Sequence, residues 1–152
     1  MRVEYGAYHD IDSWMQLVYR VQSNFPGLGT LESINEHKNI VLKFMKEQRA
    51  ICVKEMDRVV GVLLFSKKHN MICCLAVLPE FRKMGIASML VLDALKHLDR
   101  TKVISVTTFR EEDAKGIAPR ILYKKYGFVE GELTEEFHYP HQKFLLYPSS
   151  II

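Results

Sequence analysis

The chain has 152 residues, 48% hydrophobic and 26% charged, with 21 Lys and Arg against 18 Asp and Glu and a formal charge of +3. This balance excludes disordered, collagenous and membrane-spanning chains, and its positive excess is too slight to argue for nucleic acid, though a small polyanion is compatible with it. The length suits a single domain over residues 1–152, and with no span-length apolar run and no signal-peptide core at Met1-Arg2-Val3-Glu4-Tyr5, a cytoplasmic protein is expected.

Residues 2–7 are a short strand candidate. From Ile11, the positions Ile11, Trp14, Met15, Val18 and Val21 keep helical spacing, with Asp10 as N-cap. Phe25-Pro26-Gly27-Leu28-Gly29 breaks that helix, and a second is predicted over residues 31–47 on the face Leu31, Ile34, Val41, Phe44 and Met45. Three β-rich runs follow at 50–56, 59–66 and 71–77, separated by short polar turns that predict an antiparallel meander. Cys52, Cys73 and Cys74 lie in these runs, form no Cys-x-x-Cys pair, and are expected to be buried free thiols.

A helix is predicted from about Gly85 to Leu98, a strand over Val103–Phe109, and then an acidic loop Arg110-Glu111-Glu112-Asp113. Another helix should begin near Pro119 and end before Gly127, a residue suited to the C′ position. Strands over about 128–133 and 142–147 close the chain. Strand 71–77, helix 85–98 and strand 103–109 make a right-handed βαβ unit with parallel strands. The expected fold is α/β (α+β): a three-layer sandwich whose mixed, mostly antiparallel central sheet is flanked by helices.

The most informative stretch is Leu75-Ala76-Val77-Leu78-Pro79-Glu80-Phe81-Arg82-Lys83-Met84-Gly85-Ile86-Ala87. An apolar strand ends at a proline, and a basic turn passes through Gly85 into a helix. A helix start leaves its first N–H groups unpaired and carries partial positive charge, while Gly and Ala let phosphate oxygens approach the backbone. The pattern predicts phosphate or pyrophosphate binding, with an ordinary βα turn as the plainer reading. It is neither a Walker loop nor a Rossmann fingerprint.

Arg82, Gly85 and Ala87, preceded by Val77-Leu78-Pro79, resemble the acetyl-CoA signature Arg/Gln-x-x-Gly-x-Gly/Ala of GNAT acetyltransferases. Downstream, Leu122-Tyr123-Lys124-Lys125-Tyr126-Gly127-Phe128 resembles that family's Leu-Tyr-x-x-x-Gly-Phe. A weaker likeness lies in Tyr139-Pro140-His141-Gln142-Lys143-Phe144. The resemblance is clear from about residue 50 and holds before that only in element order.

The resemblance implies a GNAT-like acyl-CoA N-acyltransferase fold with acetyl-CoA as cosubstrate. It implies transfer of acetyl to a primary amine of an unidentified small molecule or peptide by direct attack. The alternative it leaves is a non-catalytic acyl-CoA sensor of the same fold. By the same likeness, Leu75, Ala76 and Val77 offer backbone groups to the pantetheine arm, between parallel strands that splay apart. The backbone of Lys83, Met84, Gly85, Ile86, Ala87 and Ser88 wraps the pyrophosphate, with Arg82 adding cationic field. Tyr123 falls at the general-acid position, where its alternative is a core aromatic. The general base falls on Glu111 by direct counting, or on Thr108 and a water if the loop carries an insertion. An asparagine that many relatives use for CoA is replaced here by Gly116 or Asp113, depending on the same choice. The loop 25–29 sits where relatives build part of the acceptor site.

The six histidines are scattered without ligand spacing, so no metal is expected. His141 is read as bordering the acceptor pocket or as a packing residue. No nucleic-acid or membrane partner is expected, and a homodimer is compatible with the sequence.

Overall fold

The computed structural model describes residues 1–149. Seven strands alternate with four α-helices: β1 Val3–Tyr5, α1 Ile11–Val21, α2 Leu31–Lys46, β2 Ala50–Glu55, β3 Arg58–Ser66, β4 Met71–Val77, α3 Ile86–His97, β5 Ile104–Phe109, α4 Ile117–Lys125, β6 Val129–Glu136 and β7 Tyr139–Leu146. They form one mixed sheet in the order β1-β2-β3-β4-β5-β7-β6. Neighbours are antiparallel except β4 and β5, which run parallel.

Crossovers set the layers. β5 and β6 both run antiparallel to β7, so α3 and α4 each join strands of one direction and step the same way across the sheet. Right-handed connections of that kind put both helices on one face. β3 is buried along nearly its whole length, which requires cover on both sides. On one face Gly61 lets α3 come close: a Cβ there would lie 2.6 Å from Ile86 Cγ2. On the other, α1 seats on β3, where the Val59 N–H donates to Ser13 Oγ at 2.8 Å. Trp14 is the largest side chain of this half of the core at 1% exposure.

Three local features differ from the sequence reading. Asp10 stands at the N-cap of α1, but its side chain does not cap that helix. It accepts from the Ala7 N–H at 2.9 Å and pairs with Lys54 Nζ at 2.7 Å, an arrangement that shields a nearly buried carboxylate. β6 and β7 are longer than the apolar pattern marks, because Phe137 and His138, both at positive φ, form a two-residue hairpin turn without glycine. The third is a correction: Cys52 is buried, but Cys74 is only half-buried and Cys73 is exposed. Cys73 is the extra residue of a bulge, since β3 pairs Phe65 with Ile72 but Leu64 with Cys74.

Candidate active site

That bulge also shapes the site. β4 and β5 pair only at Met71↔Ser105 and Ile72↔Val106. β4 continues to Val77 against β3, and β5 continues to Phe109 against β7, but the two no longer meet. A bulged strand bends and twists, so Cys73 marks the point where β4 leaves β5. The facing backbone groups of Leu75, Ala76 and Val77 are left for water or an extended ligand.

At the end of β4, Pro79–Phe81 makes one turn of 3₁₀ helix, and Arg82 is extended. Lys83 and Gly85 both adopt positive φ, +63° and +81°, before α3 begins at Ile86. The first backbone bond of the new helix runs from Met89 N–H to the Gly85 carbonyl. Among the described residues, no N–H from Lys83 to Ser88 donates to a protein acceptor. No side chain caps the helix, and nothing lies within 4 Å of the position a Gly85 Cβ would occupy. Arg82, Lys83, Met84 and Gly85 are exposed, Ala87 and Ser88 half-buried, and Ile86 points into the core. The amides therefore form an open concavity of the kind that holds anions.

Tyr123 lies in the last turn of α4, and the Leu-Tyr-x-x-x-Gly-Phe pattern has a physical meaning there. Gly127, at φ +94°, reverses the chain. Its N–H donates to the Lys124 carbonyl, and the Phe128 N–H donates to the Tyr123 carbonyl. This is a Schellman cap, and it folds Phe128 back onto the Tyr123 ring at 5.6 Å. Phe144 of β7 packs at 6.3 Å. Tyr123 is only 4% exposed, yet its hydroxyl has no partner among the described residues. Among the described residues, Thr134 Oγ1 is the one fully enclosed side-chain polar atom without a partner, so the phenol oxygen is not sealed off. Burial, with the Cys74 sulfur nearby, pushes the Tyr123 phenol well above its usual range. Burial pushes the Cys74 thiol up to about 12.

Arg120, one turn before Tyr123 on the same helix face, fixes α4 to the sheet. Its guanidinium donates to the Phe109 carbonyl at 3.0 Å, Gln142 Oε1 at 2.7 Å and Glu130 Oε1 at 2.8 Å, and lies 4.8 Å over Phe144. The sequence reading missed it, although a charged residue three positions from Tyr123 on an apolar face was the available signal.

The open end of the β4–β5 gap is bridged by the connection between α1 and α2. Arg20, near the end of α1, pairs with Glu80 after β4 at 2.6 Å. Farther along, Gly27 packs so closely on Phe137 of the β6–β7 turn that a Cβ would sit 2.7 Å from its ring. The segment from Arg20 to Gly27 thus reaches from Glu80 after β4 to Phe137 of the β6–β7 turn.

Beneath it, Thr107 and Phe109 alternate with Thr108 along β5. Thr108 pairs with Gln142, the residue held by α4, so Phe109 and its partner His141 face away from α4. Thr108 is buried, whereas Glu111 is exposed on the turn after β5 and has no hydrogen-bond partner among the described residues. Asp113 accepts from Tyr139 Oη at 2.6 Å and from the Lys115 N–H at 3.0 Å, and these bonds hold its carboxyl below the usual carboxylate value. Gly116 is packed under Arg120 and the Arg110 carbonyl, leaving no room there for a side chain. No group of three or more His, Cys, Asp or Glu among the described residues could hold a metal ion. No helix among them is long and apolar enough to cross a membrane.

A seven-stranded mixed sheet, split between its two parallel strands and flanked by a helix with free N-terminal amides, defines an acyltransferase-type α/β fold. Residues 46–130 match the family model for the acetyltransferase (GNAT) domain, and the chain belongs to that family of acetyltransferases, whose acetyl donor is acetyl-CoA. Solved structures with the same fold include a GNAT-family acetyltransferase from Bacillus cereus ATCC 10987, at TM-score 0.76 and 20% identity over 97% of each chain. An N-acetyltransferase from Staphylococcus aureus Mu50 superposes at TM-score 0.75 and 15% identity, over 96% of this chain and 100% of that one. A paia N-acetyltransferase from Thermoplasma acidophilum in complex with coenzyme A gives TM-score 0.69 and 13% identity, over 93% and 96%. Comparison with curated proteins finds no match.

Proposed function

We propose that the protein transfers acetyl from acetyl-CoA to a primary amine by direct attack, with no covalent acetyl-enzyme. The observation that carries this reading is the unpaired stretch of β4 leading to the free amides of Lys83–Ser88, with Tyr123 close to the Cys74 sulfur on that strand. The amides take the diphosphate, with Arg82 adding charge. Leu75, Ala76 and Val77 pair with the extended pantetheine as a strand pairs with a strand, and the thioester enters the gap. Most of the rate enhancement then comes from positioning and from acid–base help.

Tyr123 supplies a proton to the leaving sulfur. A CoA thiolate entering the gap between β4 and β5 loses water and becomes more basic. A phenol raised by burial stays protonated through neutral pH and is matched to such an acceptor. The amine comes from the loop side. Exposed Glu111 and Glu112 after β5, and Glu135 and Glu136 before the β6–β7 turn, form an acidic rim at that end of the sheet, with Arg110 and Lys115 among them. Cationic amines are the substrates such a rim attracts. Glu111 belongs to this rim.

The test is acceptor-dependent release of free CoA from acetyl-CoA, corrected for hydrolysis, across polyamines, aminoglycosides, amino acids and peptide N-termini. Turnover with one of these classes is expected. Tight acetyl-CoA binding with no acceptor-dependent release from any of them contradicts the proposal.

A further inference from the structure

His141 is 7% exposed and yet only half satisfied. Its Nδ1 lies 2.8 Å from the Tyr139 carbonyl oxygen. A carbonyl can only accept, so Nδ1 carries the hydrogen and the neutral ring has its lone pair on Nε2. Nε2 has no partner among the described residues and, unlike Thr134 Oγ1, is not sealed from solvent. The ring is held in place on several sides. Phe109 stacks on it at 5.1 Å and 28°, and Tyr139 meets it edge-on at 5.8 Å. Arg110 donates from Nε to the His141 carbonyl and from Nη2 to the Thr134 carbonyl, so it clamps the two paired strands from which the ring projects. Tyr139 is itself tied to Asp113.

We infer that His141 is the general base of the acetyl transfer, taking the proton of the incoming ammonium on Nε2. This rests on the reading that the protein acetylates amines. His141 lies at the end of β5 and β7 on the face away from α4, under the loop that connects α1 and α2, which is the acceptor side of the gap. The ammonium gives one proton to Nε2. The freed nitrogen pair forms the C–N bond, the C–S bond breaks, and the sulfur takes the Tyr123 proton. The second proton on nitrogen returns to the phenolate as the amide forms, and the proton on His141 leaves to water.

The charged and titratable groups around the ring are Asp113 and Tyr139, which share a hydrogen bond, Lys115, whose ammonium lies 5.1 Å over the Tyr139 ring, and Arg110. None of them occupies Nε2. Glu111, by contrast, is exposed and unheld.

The test uses the full chain with acetyl-CoA and 1,3-diaminopropane, alongside the best amine of the panel. His141→Gln keeps a planar polar group on Phe109 and should lower kcat/KM about 10²–10³-fold, with acetyl-CoA affinity unchanged. The limb of kcat/KM that rises with pH should vanish, and added imidazole should restore part of the rate to His141→Ala. Glu111→Gln, whatever it does to amine affinity, should keep the rising limb. Independently of turnover, ¹⁵N ring spectra of the neutral protein should place the His141 proton on Nδ1. A parent-like rate and profile in His141→Gln, loss of the limb in Glu111→Gln, or a proton on Nε2 of the neutral ring each overturn the assignment. Failure of the parent with every amine speaks against the acetylation reading, which the ring spectra keep separate.

Discussion

Tyr123→Phe separates chemistry from folding more cleanly than any other change in this protein. The ring packs in the core against Phe128 and Phe144, and a phenylalanine retains that packing. The hydroxyl has no partner among the described residues, so its removal strands no buried donor or acceptor there. A change of about 0.5 kcal/mol or less is expected, or about 1–2 °C in Tm for a chain of this size. Loss of a general acid, in contrast, costs about 10²–10⁴-fold in turnover, equivalent to about 3–5 kcal/mol at 1.36 kcal/mol per tenfold. The assay is initial-rate release of free CoA at saturating acetyl-CoA, with affinity measured separately by calorimetry. The raised phenol pKa adds a second signature. The protonated form is the active one, so no falling limb due to Tyr123 should occur below the ordinary phenol value of about 10. Parent-like kcat in Tyr123→Phe, or a loss confined to acetyl-CoA affinity, would refute the acid role.

Gly61→Ala places a methyl group 2.6 Å from Ile86 Cγ2 and 3.1 Å from Leu90 Cδ1. Overpacking of about 1–3 kcal/mol should lower Tm by about 2–12 °C and weaken acetyl-CoA binding, because Ile86 opens α3; differential scanning calorimetry and titration check both. Gly127→Ala forces a side chain into φ +94° at about 1–2 kcal/mol, and loosening of the cap under Tyr123 should reduce kcat more than acetyl-CoA affinity. Lys54→Met strands the Asp10 carboxylate, which is 4% exposed, at a cost of about 3–5 kcal/mol. Burial alone drives the Asp10 carboxyl up, but in the parent Lys54 and the Ala7 N–H outweigh it and hold it below the usual carboxylate range. The parent therefore loses this contribution as pH falls below the unfolded carboxylate value and through the depressed folded one, whereas Lys54→Met should gain stability on mild acidification, as urea unfolding from pH 7 to 4 would reveal.

The elements legible from sequence were those with strong local signals. Gly127 and Phe128 mark both the end of α4 and the seat of Tyr123, because a left-handed glycine and its apolar follower are a local cap. Val77-Leu78-Pro79 through Ala87 marked the turn that bares the amides. What the sequence hid is tertiary. The bulge at Cys73 has no glycine to announce it and follows from pairing with β3, so the exposure of Cys73 could not be read from its apolar run. Phe137 and His138 make a tight turn with residues that rarely favour it, which left the true length of β6 and β7 obscure. Arg120 carries no local mark of its role, and His141 could be read as bordering the acceptor pocket or as packing, until α4, β5 and β7 were brought together. Glu111 came from counting along the chain, which carries no information about which side chain is held.

Backbone amide spectra during a titration with acetyl-CoA test the central claim most directly. Large shifts and slowed exchange confined to Lys83–Ser88 and the unpaired half of β4 are predicted, as phosphate oxygens and the pantetheine arm take up those N–H groups. Saturation with those amides unmoved, or no binding at millimolar acetyl-CoA, would contradict it.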